Sequence, residues 1–79
     1  MDTIVQWLSG YFSESHDLGD DPLDRDIFEA GWIDSFGTIL LVEAIEDEYA
    51  LRFTEDSFLD RRFSSIRGIA EIVSEVKDA

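Results

Sequence analysis

Apolar residues recur along the chain at spacings of three and four in three stretches, and the segments between those stretches are acidic. The first stripe, Ile4, Trp7, Leu8, Tyr11 and Phe12, predicts an amphipathic helix from residue 3 to about 14, with Thr3 or Asp2 as its cap. Gly10 weakens the last turn of that pattern by about 1 kcal/mol relative to Ala. The second stripe, Thr38, Leu41, Val42, Ile45 and Tyr49, is one side of a helix from Ser35 to about Tyr49. The third, Ile66, Ile69, Ala70, Val73 and Val76, predicts a closing helix capped by Ser64 or Ser65, with Gly68 in its interior.

The connections differ in character. From His16 to Asp34 the chain holds Gly19, Pro22, Gly31 and many acids, which predicts a long crossing loop. Loops of this length need their own apolar anchors, and Leu23, Ile27, Phe28, Trp32 and Ile33 are the candidates, with a helical turn near Asp24 to Phe28. After Leu51 and Phe53, Thr54 with Glu55 and Asp56 marks the cap and acidic first turn of a brief helix ending near Leu59. Asp60, Arg61 and Arg62 read as a polar turn, and no alternation of strand type persists anywhere. The expected fold is all-α: a small four-helix bundle, three longer helices and one short one, in a single domain over residues 1–79.

Composition narrows the function. The chain has 79 residues, 44% of them hydrophobic, so a modest core is affordable despite the charge. Its 19 acidic residues against 6 basic ones repel nucleic acid and anionic membrane faces and favour basic patches on other proteins. With no cysteine there is no disulfide, no thiolate metal site and no thiol nucleophile, so any sulfur chemistry must be brought in. The first residues, MDTIVQWLSG, carry no Lys or Arg and only a short, interrupted apolar run, so neither a signal peptide nor a membrane span is expected and the cytoplasm is the default location.

The candidate chemistry lies in GWIDSFGT, residues 31 to 38. Asp34 is the natural N-cap of the second helix, and Ser35 stands in its first turn, where backbone amides lack partners and the helix dipole is positive. A phosphoester on Ser35 would be favourably placed there, with Gly37 leaving one side open and Phe36 forming an apolar platform. A plain capping pair has the same spacing. The outward side of this helix is unusual, since Phe36, Ile39 and Leu40 lie among Glu43, Glu46 and Asp47.

The stretch FEAGWIDSFGTILLVEAIEDEY resembles the modification segment of acyl carrier proteins, whose G-x-x-D-S-[LMF] motif opens an acidic helix. The order and lengths of the predicted helices follow that family over most of the chain. The resemblance implies that Ser35 receives 4'-phosphopantetheine from coenzyme A, and that Asp34 serves as cap and as a candidate helper beside a divalent cation of the modifying enzyme. It implies that cargo is held as a thioester and that the chain is not itself an enzyme. Phe36, Ile39, Leu40, Glu43, Glu46 and Asp47 become the partner-docking residues. The implied partners are a phosphopantetheinyl transferase, an acyl- or aminoacyl-activating ligase, and acyltransferase or synthase enzymes with basic docking patches, the carrier itself being a monomer.

The DSFGT sequence is similar to the D-S-M-G-T of D-alanyl carrier proteins, and the G-G-[DH]-S pattern of assembly-line peptidyl carriers is absent. A free-standing carrier with a specialised cargo is the expectation. The alternatives are a D-alanyl carrier, or an acidic helical interaction module that is never modified.

Other signals carry less. Asp20, Asp21, Asp24 and Asp26 lack the ligand order of an EF-hand, so no metal site is expected. His16, Asp34 and Ser35 do not form a triad pattern, because Asp34 is adjacent to Ser35 and no G-x-S-x-G elbow is present. Trp7 and Trp32 could line a ligand pocket with the phenylalanines, but aromatics at helical spacing read first as core. Arg61, Arg62 and Arg67 read as partners for nearby acids, worth little if exposed.

Overall fold

The computed structural model describes residues 2–14 and 16–78, apart from the side chains of Phe58 and Asp78. Its elements are α1 (Asp2–Ser13), a 3-10 turn at Pro22–Asp24, α2 (Ser35–Tyr49), α3 (Glu55–Leu59), a second 3-10 turn at Arg61–Ser64, and α4 (Ile66–Asp78). Among the described residues there is no strand. The architecture is the expected all-α bundle, with three long helices and one of five residues.

Each long helix buries most of the stripe that its spacing implies, and Trp7, Tyr11, Tyr49 and Val76 pack partly buried against the rest. Ile4, Leu8 and Phe12 of α1, Leu41, Val42 and Ile45 of α2, and Ile66, Ile69, Ala70 and Val73 of α4 form one apolar cluster. Helix α4 lies at its centre, packed on α1 and on both 3-10 turns. That position explains Ile72, which is buried although it lies off the predicted stripe, because α4 is covered on more than one side. Rings extend the cluster: Trp7 stacks on Tyr11 at 5.7 Å and meets Tyr49 edge-on at 6.0 Å, which joins α1 to the end of α2.

Several local expectations need correction. Asp2 and Thr3 are both inside α1, so neither caps it; Asp2 instead places a carboxylate in the first turn, where the dipole favours it. The helical turn of the crossing loop falls at Pro22–Asp24, because the fixed φ of Pro22 suits the start of such a turn. Asp26 then begins a separate turn, its Oδ1 accepting from the amides of Phe28 and Glu29. This leaves Phe28 43% exposed, so it is not an anchor, whereas Ile27 and Trp32 are buried. Thr54 sits at the N-cap of α3 without a side-chain bond to the helix backbone, its hydroxyl lying 3.3 Å from that of Ser57. Ser65 caps α4, accepting from the amide of Gly68 at 3.0 Å.

The segment Asp60 to Arg62 is more than a polar turn. The Arg62 guanidinium makes a two-pronged contact with Glu75 at 2.6 and 2.9 Å, bonds Asp60 at 2.8 Å and lies 3.5 Å from Glu71. Arg67 reaches Asp24 at 2.7 Å and ties the crossing loop to α4. Hydrogen bonds from Arg62 hold the Asp60 carboxyl down at about 2 and also lower that of Glu75. A lowered carboxylate pKa stabilises the fold above the ordinary value, 3.8 for Asp60, and that contribution is lost as pH falls through about 2. Melting temperature should therefore drop between pH about 4 and about 2, and Arg62→Gln should lose less over that interval than the parent. Parallel acid loss in the two proteins would show that this cluster does not set the acid limb.

Candidate functional site

The site begins where the crossing loop becomes α2. Gly31 adopts φ +76°, a left-handed turn that suits a residue without Cβ, and after it Trp32 goes into the core while Ile33 is half-buried. Asp34 is extended and caps α2: its Oδ1 accepts the amide of Gly37 at 2.7 Å, and its carbonyl accepts the amide and the hydroxyl of Thr38, each at 2.9 Å. Ser35 is the first helical residue and is exposed. The first-turn amides around it have no partners within the helix, and the positive end of the dipole faces outward. A phosphate ester on Ser35 would meet amides and dipole and would not have to enter the core.

Asp34 already serves the backbone with its Oδ1. An added Cβ at Gly37 would lie 3.0 Å from Ile33 Cγ1 and 3.2 Å from Asp34 Oδ1, so glycine keeps the cap and the neighbouring wall undisturbed. Spacing alone suggested an open approach, but not this particular contact.

Phe36, Ile39 and Leu40 stand on the outer side of α2 at 70%, 59% and 45% exposure, with Glu43 and Asp47 exposed beyond them. Three large apolar side chains in one exposed patch are uncommon unless something covers them. Glu46 differs from its neighbours: it is half-buried, and its Oε2 accepts the amide of Phe53 at 2.9 Å, which holds the link between α2 and α3. Its sequence position could not reveal that partner. Among the described residues no group of three or more His, Cys, Asp or Glu side chains is arranged to hold a metal ion, and no helix is long and apolar enough to cross a membrane. His16 closes the end of α1, its amide donating to the Phe12 carbonyl at 3.0 Å.

A cleft of about 580 Å³ opens between the end of α1 and the segment from Gly31 to Gly37, directly beside the start of α2. Its residues are too far apart in the chain for local spacing to show it.

Comparison with known proteins identifies the family. The family model for the phosphopantetheine attachment site matches residues 6–73. D-alanyl carrier proteins of Streptococcus sanguinis and Streptococcus gordonii are 32% identical over 59 residues, covering 75% of this chain and 75% of each relative. The D-alanyl carrier protein of Streptococcus thermophilus is similar to the same extent. No solved structure matches. The chain therefore belongs to the phosphopantetheine-attachment family of carrier proteins, which hold that group covalently and do not themselves catalyse a reaction.

Proposed function

We propose that Ser35 is the residue that receives 4'-phosphopantetheine and that the chain carries an aminoacyl or small acyl group as a thioester between enzymes. The observation behind this reading is the exposure of Ser35 at the first position of α2, next to a residue that caps the helix. In the attachment step the Ser35 oxygen forms a new bond to the phosphorus of coenzyme A's pantetheine arm. The pyrophosphate link breaks, adenosine 3',5'-bisphosphate leaves, and the hydroxyl proton passes to the transferase. Once attached, the group supplies the thiol that a chain without cysteine lacks.

The relatives are named for D-alanine, and the Ser35-Phe36-Gly37-Thr38 sequence agrees with an aminoacyl cargo. The partners are then a phosphopantetheinyl transferase, an activating ligase, and acceptor enzymes with basic docking patches, all meeting a monomeric carrier in the cytoplasm. The test is to incubate the protein with coenzyme A, magnesium and a broad-specificity transferase, then to measure intact mass and locate the adduct by fragmentation. One phosphopantetheine on Ser35 is expected. An unchanged mass would favour the rival reading of an unmodified acidic interaction module.

Docking is assigned to the outer side of α2. Leu40→Ala together with Asp47→Lys should slow modification on the order of tenfold at low salt, because an exposed apolar anchor and a steering charge are both lost. Circular dichroism should stay unchanged, since neither side chain is buried. Full rates in this variant would reduce the face to a solubility device. Glu46→Gln is a poor probe, because it also weakens the bond to the Phe53 amide.

A further inference from the structure

We propose that the cleft beside Ser35 is a resting site for the neutral, pantoyl part of the phosphopantetheine arm. The inference rests on Ser35 being the attachment point. Asp34 and Gly37, on either side of Ser35 in the chain, both line the cleft, so an arm leaving Ser35 starts at its rim. At about 580 Å³ the space lies within the range of small-molecule sites and is large enough for that segment of the arm.

The lining selects the occupant by chemistry. Half-buried Tyr11 and Ile33 give it apolar walls, with the core residues Phe12 and Trp32 behind them, suited to the two geminal methyl groups of the pantoyl unit. Tyr11 and Phe12 pack edge to face at 5.5 Å, and Phe12 lies 6.0 Å from Trp32, so this wall is continuous with the core and pre-formed. Glu14 and Asp34 place carboxylates in the lining, and His16 adds an imidazole. Carboxylates repel the arm's phosphodiester, which stays at the helix start, but accept hydrogen bonds from the hydroxyl and amide N–H groups further along. A long alkyl chain would gain nothing from those polar groups, whereas the arm's hydroxyl and amide can pair with them. The competing surface, Phe36, Ile39 and Leu40 on the outer side of α2, is apolar and exposed but is needed for partners under the docking assignment.

The consequence is a carrier whose unloaded arm is partly folded back on the α1 side of Ser35, leaving the outer face of α2 free. The test uses isotope-labelled protein carrying an unlabelled arm, with the adduct confirmed by intact mass, and filtered nuclear Overhauser measurements. The expected result is contacts from the arm's geminal methyls to Trp32 and Ile33, and a shift of the Trp32 indole N–H between unmodified and modified protein. The Trp7 indole, which does not line the cleft, should stay in place. In Ile33→Thr, which still accepts the arm, those contacts should weaken at least twofold and the Trp32 shift should shrink with them.

Contacts from the methyls to Phe36 or Leu40, or no contacts at all on the wild-type protein, would overturn this inference while leaving the attachment intact. Contacts that arise only after an aminoacyl group is loaded would also overturn it, since they would make the cleft a cargo site. Failure to form any adduct would overturn the attachment at Ser35 and this inference together.

Discussion

Ser35→Ala is expected to take up no phosphopantetheine under conditions in which the parent is converted completely, and to melt within about 0.5 kcal/mol of it. The first half follows from chemistry, because alanine offers no oxygen to the incoming phosphorus and the chain has no cysteine to substitute. The second follows from position. Ser35 is exposed at the first residue of α2, while the cap is made by Asp34 through its bond to the Gly37 amide and survives the change. Alanine also has the better helix propensity. Intact mass and thermal melting on the same sample separate the two effects. An adduct that persists on the variant would move the attachment to another hydroxyl, and a large loss of stability would show that Ser35 has a structural role.

Gly68→Ala is expected to cost on the order of 3–5 kcal/mol, a large part of the stability of a domain of this size. A Cβ there would fall inside contact distance of the Arg62 carbonyl oxygen, 2.7 Å from the carbonyl carbon and 2.9 Å from Cα. All three are backbone atoms, so no side chain can swing aside, and the 3-10 turn Arg61–Ser64 must lift away from α4. That movement would pull Phe63 from the core, stretch the bond from the Ile27 amide to the Ser64 carbonyl, and disturb Arg62 among its carboxylates. The gain of about 1 kcal/mol from replacing glycine by alanine in a helix is too small to compensate. Gly10→Ala is the natural control, since nothing beyond its chain neighbours and its own helix backbone lies within 4 Å of a Cβ there. Equal, mild effects at both glycines in a urea titration would mean that the turn adapts easily.

The two glycines show what one-dimensional reading can and cannot separate. Both stand inside apolar helical stripes, and propensity alone penalises them equally. Only the turn that α4 meets at Gly68 distinguishes them. The acids behave in the same way. Glu43, Glu46 and Asp47 share the outward side of α2 by helical period, yet Glu46 turns its carboxylate to the Phe53 amide because the chain reverses there. Arg62 looked like one member of a basic group, and the convergence of Asp60, Glu71 and Glu75 on it depends on how the 3-10 turn lies against α4. Phe28 reads as an anchor until the Asp26 turn carries it outward.

By itself the sequence determined the helices, most of their buried stripes, the cap at Asp34 and the place of Ser35 after it, because these depend on neighbours within about one turn, where period and local hydrogen bonding decide. Tertiary structure alone decided which glycine meets another backbone segment, which acid is held by the backbone, and that Tyr11, Trp32 and Ile33 join beside Ser35 around a cleft. These features arise from contacts between segments distant in the chain, whose separation and orientation are set by how the helices pack.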